Sequence, residues 1–168
     1  ARGAEPIAIV SMACRFPGGV ETPEQLWTVL EEGRHCITEV PAERWSVDQY
    51  FDPDPDAAGK TYSRWGGFVE GIQRFEPAFF GISAQEAQSV DPQERLLLET
   101  AWEVFERAGY SKAALNESST GVYVGICGSE YQTRALATVD QIDAYSLLGT
   151  AHSAIVGRIS YWLGLQGP

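Results

Sequence analysis

The sequence is poor in the side chains that metal and redox chemistry require. It has three cysteines, Cys14, Cys36 and Cys127, and two histidines, His35 and His152, none in a CxxC pair or a clustered ligand pattern. An odd number of widely spaced thiols points to neither a zinc site nor a disulfide framework. It fits a reducing, cytoplasmic setting in which thiols serve as small apolar groups. Positive charge is scarce as well: 12 Lys and Arg against 23 Asp and Glu leave a net charge of −11. Nucleic-acid binding needs a basic surface to neutralise phosphate, and none is visible. Long apolar runs are also missing. The N-terminus lacks the apolar core of a signal peptide, and residues 145–165, the most apolar later stretch, carry His152 and Arg158 mid-span. Both features argue against a membrane segment.

Ligand-cradling loops are approached but not completed. Asp52, Asp54 and Asp56 mimic the start of an EF-hand loop, but Ala57 stands where glycine is needed and Ser63 where the closing glutamate belongs. A solvated turn is the better reading of "DPDPD". "GICGSE" at 125–130 follows an apolar run and precedes helical residues, yet it lacks the P-loop lysine and the GxGxxG spacing.

What is present describes a soluble globular chain. It is 44% hydrophobic, with five Trp among 168 residues, enough for one sizeable core. "PIAIVSMA" (6–13) and "TGVYVGI" (120–126) read as strands buried on both faces. Between them, "ETPEQLWTVLEEG" predicts a helix capped by Thr22, with Pro23 at its first position, Gln25 closing a capping box and Gly33 as its stop. Leu26, Trp27 and Leu30 form its expected buried stripe. Residues 40–75 have no sustained period and read as a long ordered excursion pinned by Trp45, Tyr50, Phe51, Tyr62 and Trp65. Ser83 caps a short helix. Asp91, Pro92 and a capping-box Glu94 open a longer one that Gly109 ends. Leu97, Ala101, Phe105 and Ala108 line its inner stripe. A last helix spans about Thr150 to Leu163, with Ser153, Gly157, Ser160 and Gly164 on one small-residue face suited to close intramolecular packing. Arg158, in that helix, needs a carboxylate or carbonyl partner. Strands alternating with helices indicate a layered α/β fold, with too few strands for a complete sheet.

Five long motifs, "EPIAIVSMACRFPGG", "FDPDPDAAGKTYSRWGGFVEGIQRFEPAFFGIS", "DPQERLLLETAWEVFERAGY", "TGVYVGICGSEY" and "GTAHSAIVGRISYWLGLQGP", follow one another across residues 5–168. In this order they resemble the beginning of the β-ketoacyl synthase (ketosynthase) domain of modular type I polyketide synthases. The resemblance implies a thiolase-like α/β fold, layered α-β-α-β-α, of which residues 1–168 would be the N-terminal portion, usually paired as a homodimer. It implies decarboxylative Claisen condensation of acyl groups delivered on the phosphopantetheine of an acyl carrier protein. No cofactor would be bound directly, and no metal or membrane involved.

In the family, "GLQGP" leads into a strand and then a "DTACSSS"-like motif whose cysteine is the nucleophile, while two further histidines assist decarboxylation. Neither feature is matched by Cys14, Cys36, Cys127, His35 or His152, so no catalytic residue is carried over. The chain is expected to end just before the nucleophile and, by itself, to be inactive and not to fold stably as a monomer. By position, Cys127, Gly128, Tyr145 and Leu148 fall at the margin of the acyl pocket. For Cys127 a small buried thiol is the competing reading, and for Tyr145 and Leu148 core or dimer packing. Partners implied are the remainder of the ketosynthase domain and the carrier protein. The alternatives are a non-catalytic assembly or dimerisation module, or the ketosynthase of a fatty-acid synthase or a loading module.

Overall fold

A computed structural model describes residues 6–128, 130–137 and 144–168. The chain divides into two compact units, one of residues 14–71 and one that joins the N-terminal residues to 72–168.

In the first unit, α1 (Pro23–Glu31) begins as its sequence dictates. Thr22 Oγ1 accepts from Gln25 N at 3.2 Å while Gln25 Oε1 accepts from Thr22 N at 3.0 Å, a reciprocal capping box. Its expected buried stripe is not buried: Trp27 and Leu30 are exposed, and no residue of α1 is buried. An apolar stripe fixes a helix's phase but needs a second surface to cover it. Strands β1 (Thr38–Glu39) and β2 (Trp65–Gly66) pair antiparallel, with Thr38 opposite Gly66 and Glu39 opposite Trp65. Arg64 Nε donates to Glu39 Oε1 at 2.6 Å across this pair. A single turn of helix, α2 (Val47–Tyr50), follows a Ser46 cap, and a bridge joins Phe51 to Thr61. The excursion is therefore ordered, though its aromatic pins are only partly those expected. Trp45 meets Tyr50 edge-on and Arg64 lies over Phe51, whereas Tyr62 and Trp65 face outward. In "DPDPD", Asp52 and Asp54 accept from the backbone N–H groups of Asp54 and Asp56, so these carboxylates shape the turn itself.

The second unit is helical. A 3₁₀ turn (Pro77–Phe80) leads to α3 (Ala84–Ser89), capped by Ser83, and then to α4 (Pro92–Arg107), capped by Asp91. After the single-turn α5 (Lys112–Leu115) come α6 (Glu130–Leu136), α7 (Ala144–Leu148) and α8 (His152–Leu163). The core gathers Phe80, Ile82, Val90, Leu98, Leu115 and, from α8, Ile155, Ile159 and Leu163. That i, i+4, i+8 spacing lays one apolar stripe of α8 against α4. Phe79, Phe80, Trp102 and Trp162 close the core with ring centroids 4.8–5.8 Å apart. Arranged this way, α8 turns its small-residue face away from the close packing expected of it: Ser153 and Gly157 are exposed, and a side chain at Gly157 would meet open space. Gly164 is different. It ends α8 in the left-handed conformation, φ 70°, against the Asn116 side chain.

Neither expected strand forms among the described residues. Residues 6–13 form no regular element, with Ile7, Ile9 and Val10 exposed, and Tyr123 is exposed in 120–126. An apolar run becomes a strand only when a neighbour supplies the ladder of hydrogen bonds. The nearest approach lies beside the C-terminus. Glu117 N donates to Gly164 O at 2.7 Å, Gln166 N to Ser118 O at 2.8 Å and Val122 N to Pro168 O at 3.0 Å. Both segments ascend together through these bonds, as in the first rungs of a parallel pair.

Candidate functional site

Arg158 is the most heavily engaged cation in the helical unit. It projects from the middle of α8 into a junction with α3 and α4. Its Nη1 donates to Glu86 Oε1 at 2.5 Å, and its Nε lies 2.5 Å from Glu94 Oε1 in an ion pair without hydrogen-bond alignment. The sequence-based requirement for a carboxylate partner is met twice. Glu94 itself departs from expectation. At the third position of α4 it could reach back to close a capping box, but it is fully buried and paired with Arg158, while Asp91 caps alone by accepting from Gln93 N at 2.8 Å. The Asp91 N–H that such a box would take up donates instead to Gly149 O at 2.7 Å.

Electrostatically this junction is unbalanced. Burial pushes the Glu94 carboxyl up from 4.5 to about 7. The Arg158 charge opposes the shift, and Asp91 and Glu86 add to it. Glu94 Oε2 is buried with no hydrogen-bond partner. Beside the junction is a cavity of about 170 Å³ lined by Phe80, Ile82, Glu86, Leu98, Arg158 and Trp162, among others.

The residues expected at an acyl-pocket margin lie in the same unit. Cys127 is exposed. Gly128 has φ 93°, and its carbonyl meets His152 Nε2 at 2.7 Å, tying the loop to the first turn of α8. This role for His152 had no local signal, since its partner lies 24 residues away. Tyr145 is half-buried and its carbonyl accepts from Gly149 N at 2.7 Å, while Leu148 is exposed. The end of α7 is fastened to the start of α4, because Asp91 N donates to Gly149 O at 2.7 Å. Ser146 and Thr150 are buried there, with Thr150 Oγ1 donating to Ser146 O at 2.8 Å. Helix α6, which follows the Gly128 loop, packs on α7. No cluster of three or more His, Cys, Asp or Glu side chains suited to a metal occurs among the described residues. None of their helices is long and apolar enough to cross a membrane.

The backbone superposes on the N-terminal part of ketosynthase domains, which have the thiolase-like fold. The likeness to solved structures is close. The oxazolomycin ketosynthase domain OzmH KS7 of Streptomyces albus JA3453 superposes with a TM-score of 0.82 at 39% identity, over 95% of this chain and 27% of that one. The ketosynthase from module 6 of the bacillaene synthase of Bacillus subtilis 168 gives 0.81 at 37%, over 96% and 25%. The family model "Beta-ketoacyl synthase, N-terminal domain" matches residues 4–168, and the chain belongs to that family. Among curated relatives, polyketide synthase GfsB of Streptomyces halstedii is 53% identical over 98% of this chain and 3% of its own length. A phenolphthiocerol/phthiocerol polyketide synthase of Mycobacterium tuberculosis is 48% identical over 98% and 11%. The chain thus spans a small part of these synthases and about a quarter of the solved ketosynthase chains.

Proposed function

We propose that residues 1–168 form the N-terminal portion of a β-ketoacyl synthase that extends polyketide chains, ending just before its nucleophile. The observation that carries this reading is the match of nearly the whole chain to modular ketosynthase domains in both sequence and backbone. In this reaction a cysteine outside these residues attacks the acyl thioester of a carrier protein and displaces the phosphopantetheine thiol. A malonyl-type extender on a second carrier protein then loses CO₂. Its carbanion attacks the acyl-cysteine carbonyl and the cysteine thiolate leaves, forming one carbon–carbon bond.

Cys127, Gly128, Tyr145 and Leu148 would border the acyl pocket, with Gly128 held by His152 and Tyr145–Leu148 anchored through Gly149. The partners are the remainder of the domain, the carrier protein and a second copy. Isolated, this portion has no nucleophile in the family's motif and would be inactive. The exposed Ile7, Ile9, Val10 and Tyr123 support the second reading, an assembly role, since large apolar side chains left in solvent favour a covering partner. The two separate in a complete ketosynthase carrying this sequence, incubated with an acyl thioester and followed by intact mass. Addition of the acyl group supports the enzyme; a folded, assembled protein with no addition supports the assembly module.

A further inference from the structure

Glu86, Glu94 and Arg158 come from three helices, at sequence separations of 72 and 64 residues from the arginine, so this cluster ties α8 to both α3 and α4. Three carboxylates, Glu86, Glu94 and Asp91, act on the site against the single guanidinium of Arg158. Arg95, close by in sequence, directs its Nε to Val90 O at 2.9 Å. Asp91 is spoken for by the cap of α4, and Glu86 is the more exposed of Arg158's partners, with 20% of its side chain accessible against none for Glu94. Glu94 is therefore the group whose charge the site accommodates least, and its Oε2 has no donor. A proton on Glu94 removes one negative charge from the junction and with it the desolvation cost of burying a carboxylate. Arg158 then has Glu86 as its principal partner.

We propose that Glu86, Glu94 and Arg158 form a proton-sensitive lock that holds α8 on α3 and α4 most firmly while Glu94 is protonated. Burial raises the carboxyl to about 7 in the closed junction, and an opened junction returns it toward 4.5. The closed form therefore keeps a proton that the open form has released, and closure weakens as pH rises from about 4.5 to about 7, then levels off. The lock loosens toward neutral pH without any change in the apolar core.

Hydrogen exchange followed by mass spectrometry tests this in a complete ketosynthase carrying the sequence, compared at pH 5 and pH 7.5 after correction for intrinsic exchange. Peptides covering α3 and α8 should exchange at least about tenfold faster at the higher pH, while those from α1 stay unchanged. Glu94→Gln should abolish the pH step. Glu86→Gln, which removes a neighbouring negative charge, should move it to lower pH and make it smaller. Uniform loosening of Glu94→Gln at every pH with the step retained would overturn the lock, as would wild-type exchange indifferent to pH. Should Glu94→Gln not fold, the displacement of the step in Glu86→Gln decides alone, and an unmoved step refutes the proposal.

Discussion

Arg158 neutralises carboxylates on two other helices, so its loss strands a fully buried Glu94 and a half-buried Glu86. Removing one member of a buried ion pair typically costs about 3–5 kcal/mol, because the remaining charge must be buried alone or take up a proton. Arg158→Met should lower the unfolding free energy of a complete ketosynthase by that order at pH 7.5, measured by denaturant titration, and by less at pH 5. The smaller cost at pH 5 follows because Glu94, raised to about 7, is already neutral there. A contrasting case is Thr22, whose whole contribution is local. Thr22→Ala removes the acceptor for Gln25 N and should cost about 1 kcal/mol, with no dependence on pH across this range.

Among the elements, the caps were the most legible in the sequence. Thr22, Ser83 and Asp91 act within three residues of themselves. Elements that depend on remote chain were not legible. Residues 6–13 and 120–126 have strand composition, but a strand is made by its neighbour, and none of the described residues supplies a full ladder. Glu94 had the spacing of a capping box, but the Asp91 N–H it would take is bonded to Gly149 O, 58 residues away, and Glu94 is paired with Arg158. The small-residue face of α8 packs closely only at its end, where Gly164 meets Asn116, while Ser153 and Gly157 are exposed because Ile155, Ile159 and Leu163 set the helix's rotation. Gly149 is where a close approach between elements leaves no room. A methyl group there would meet the Ser89 carbonyl at the end of α3. Gly149→Ala should therefore destabilise the domain by about 1–3 kcal/mol, read from the denaturation midpoint. Peptides from α7 should lose hydrogen-exchange protection with it.

For the whole molecule, family membership was legible because the long motifs run in order through nearly the entire chain, and the candidate pocket margin was legible only as position. Cys127 shows the difference. Sequence alone allowed a buried thiol, yet the loop it occupies leaves it exposed beside a carbonyl held by His152. Three thiols are present and none has the setting of a condensing nucleophile, so the ketosynthase reading turns on where acylation occurs. Peptide mapping of a complete ketosynthase carrying this sequence, after exposure to an acyl thioester, addresses that point without an intermediate step. One acyl group is expected on a cysteine beyond Pro168 and none on Cys14, Cys36 or Cys127. Stoichiometric acylation of any of those three, with none beyond Pro168, would overturn the reading.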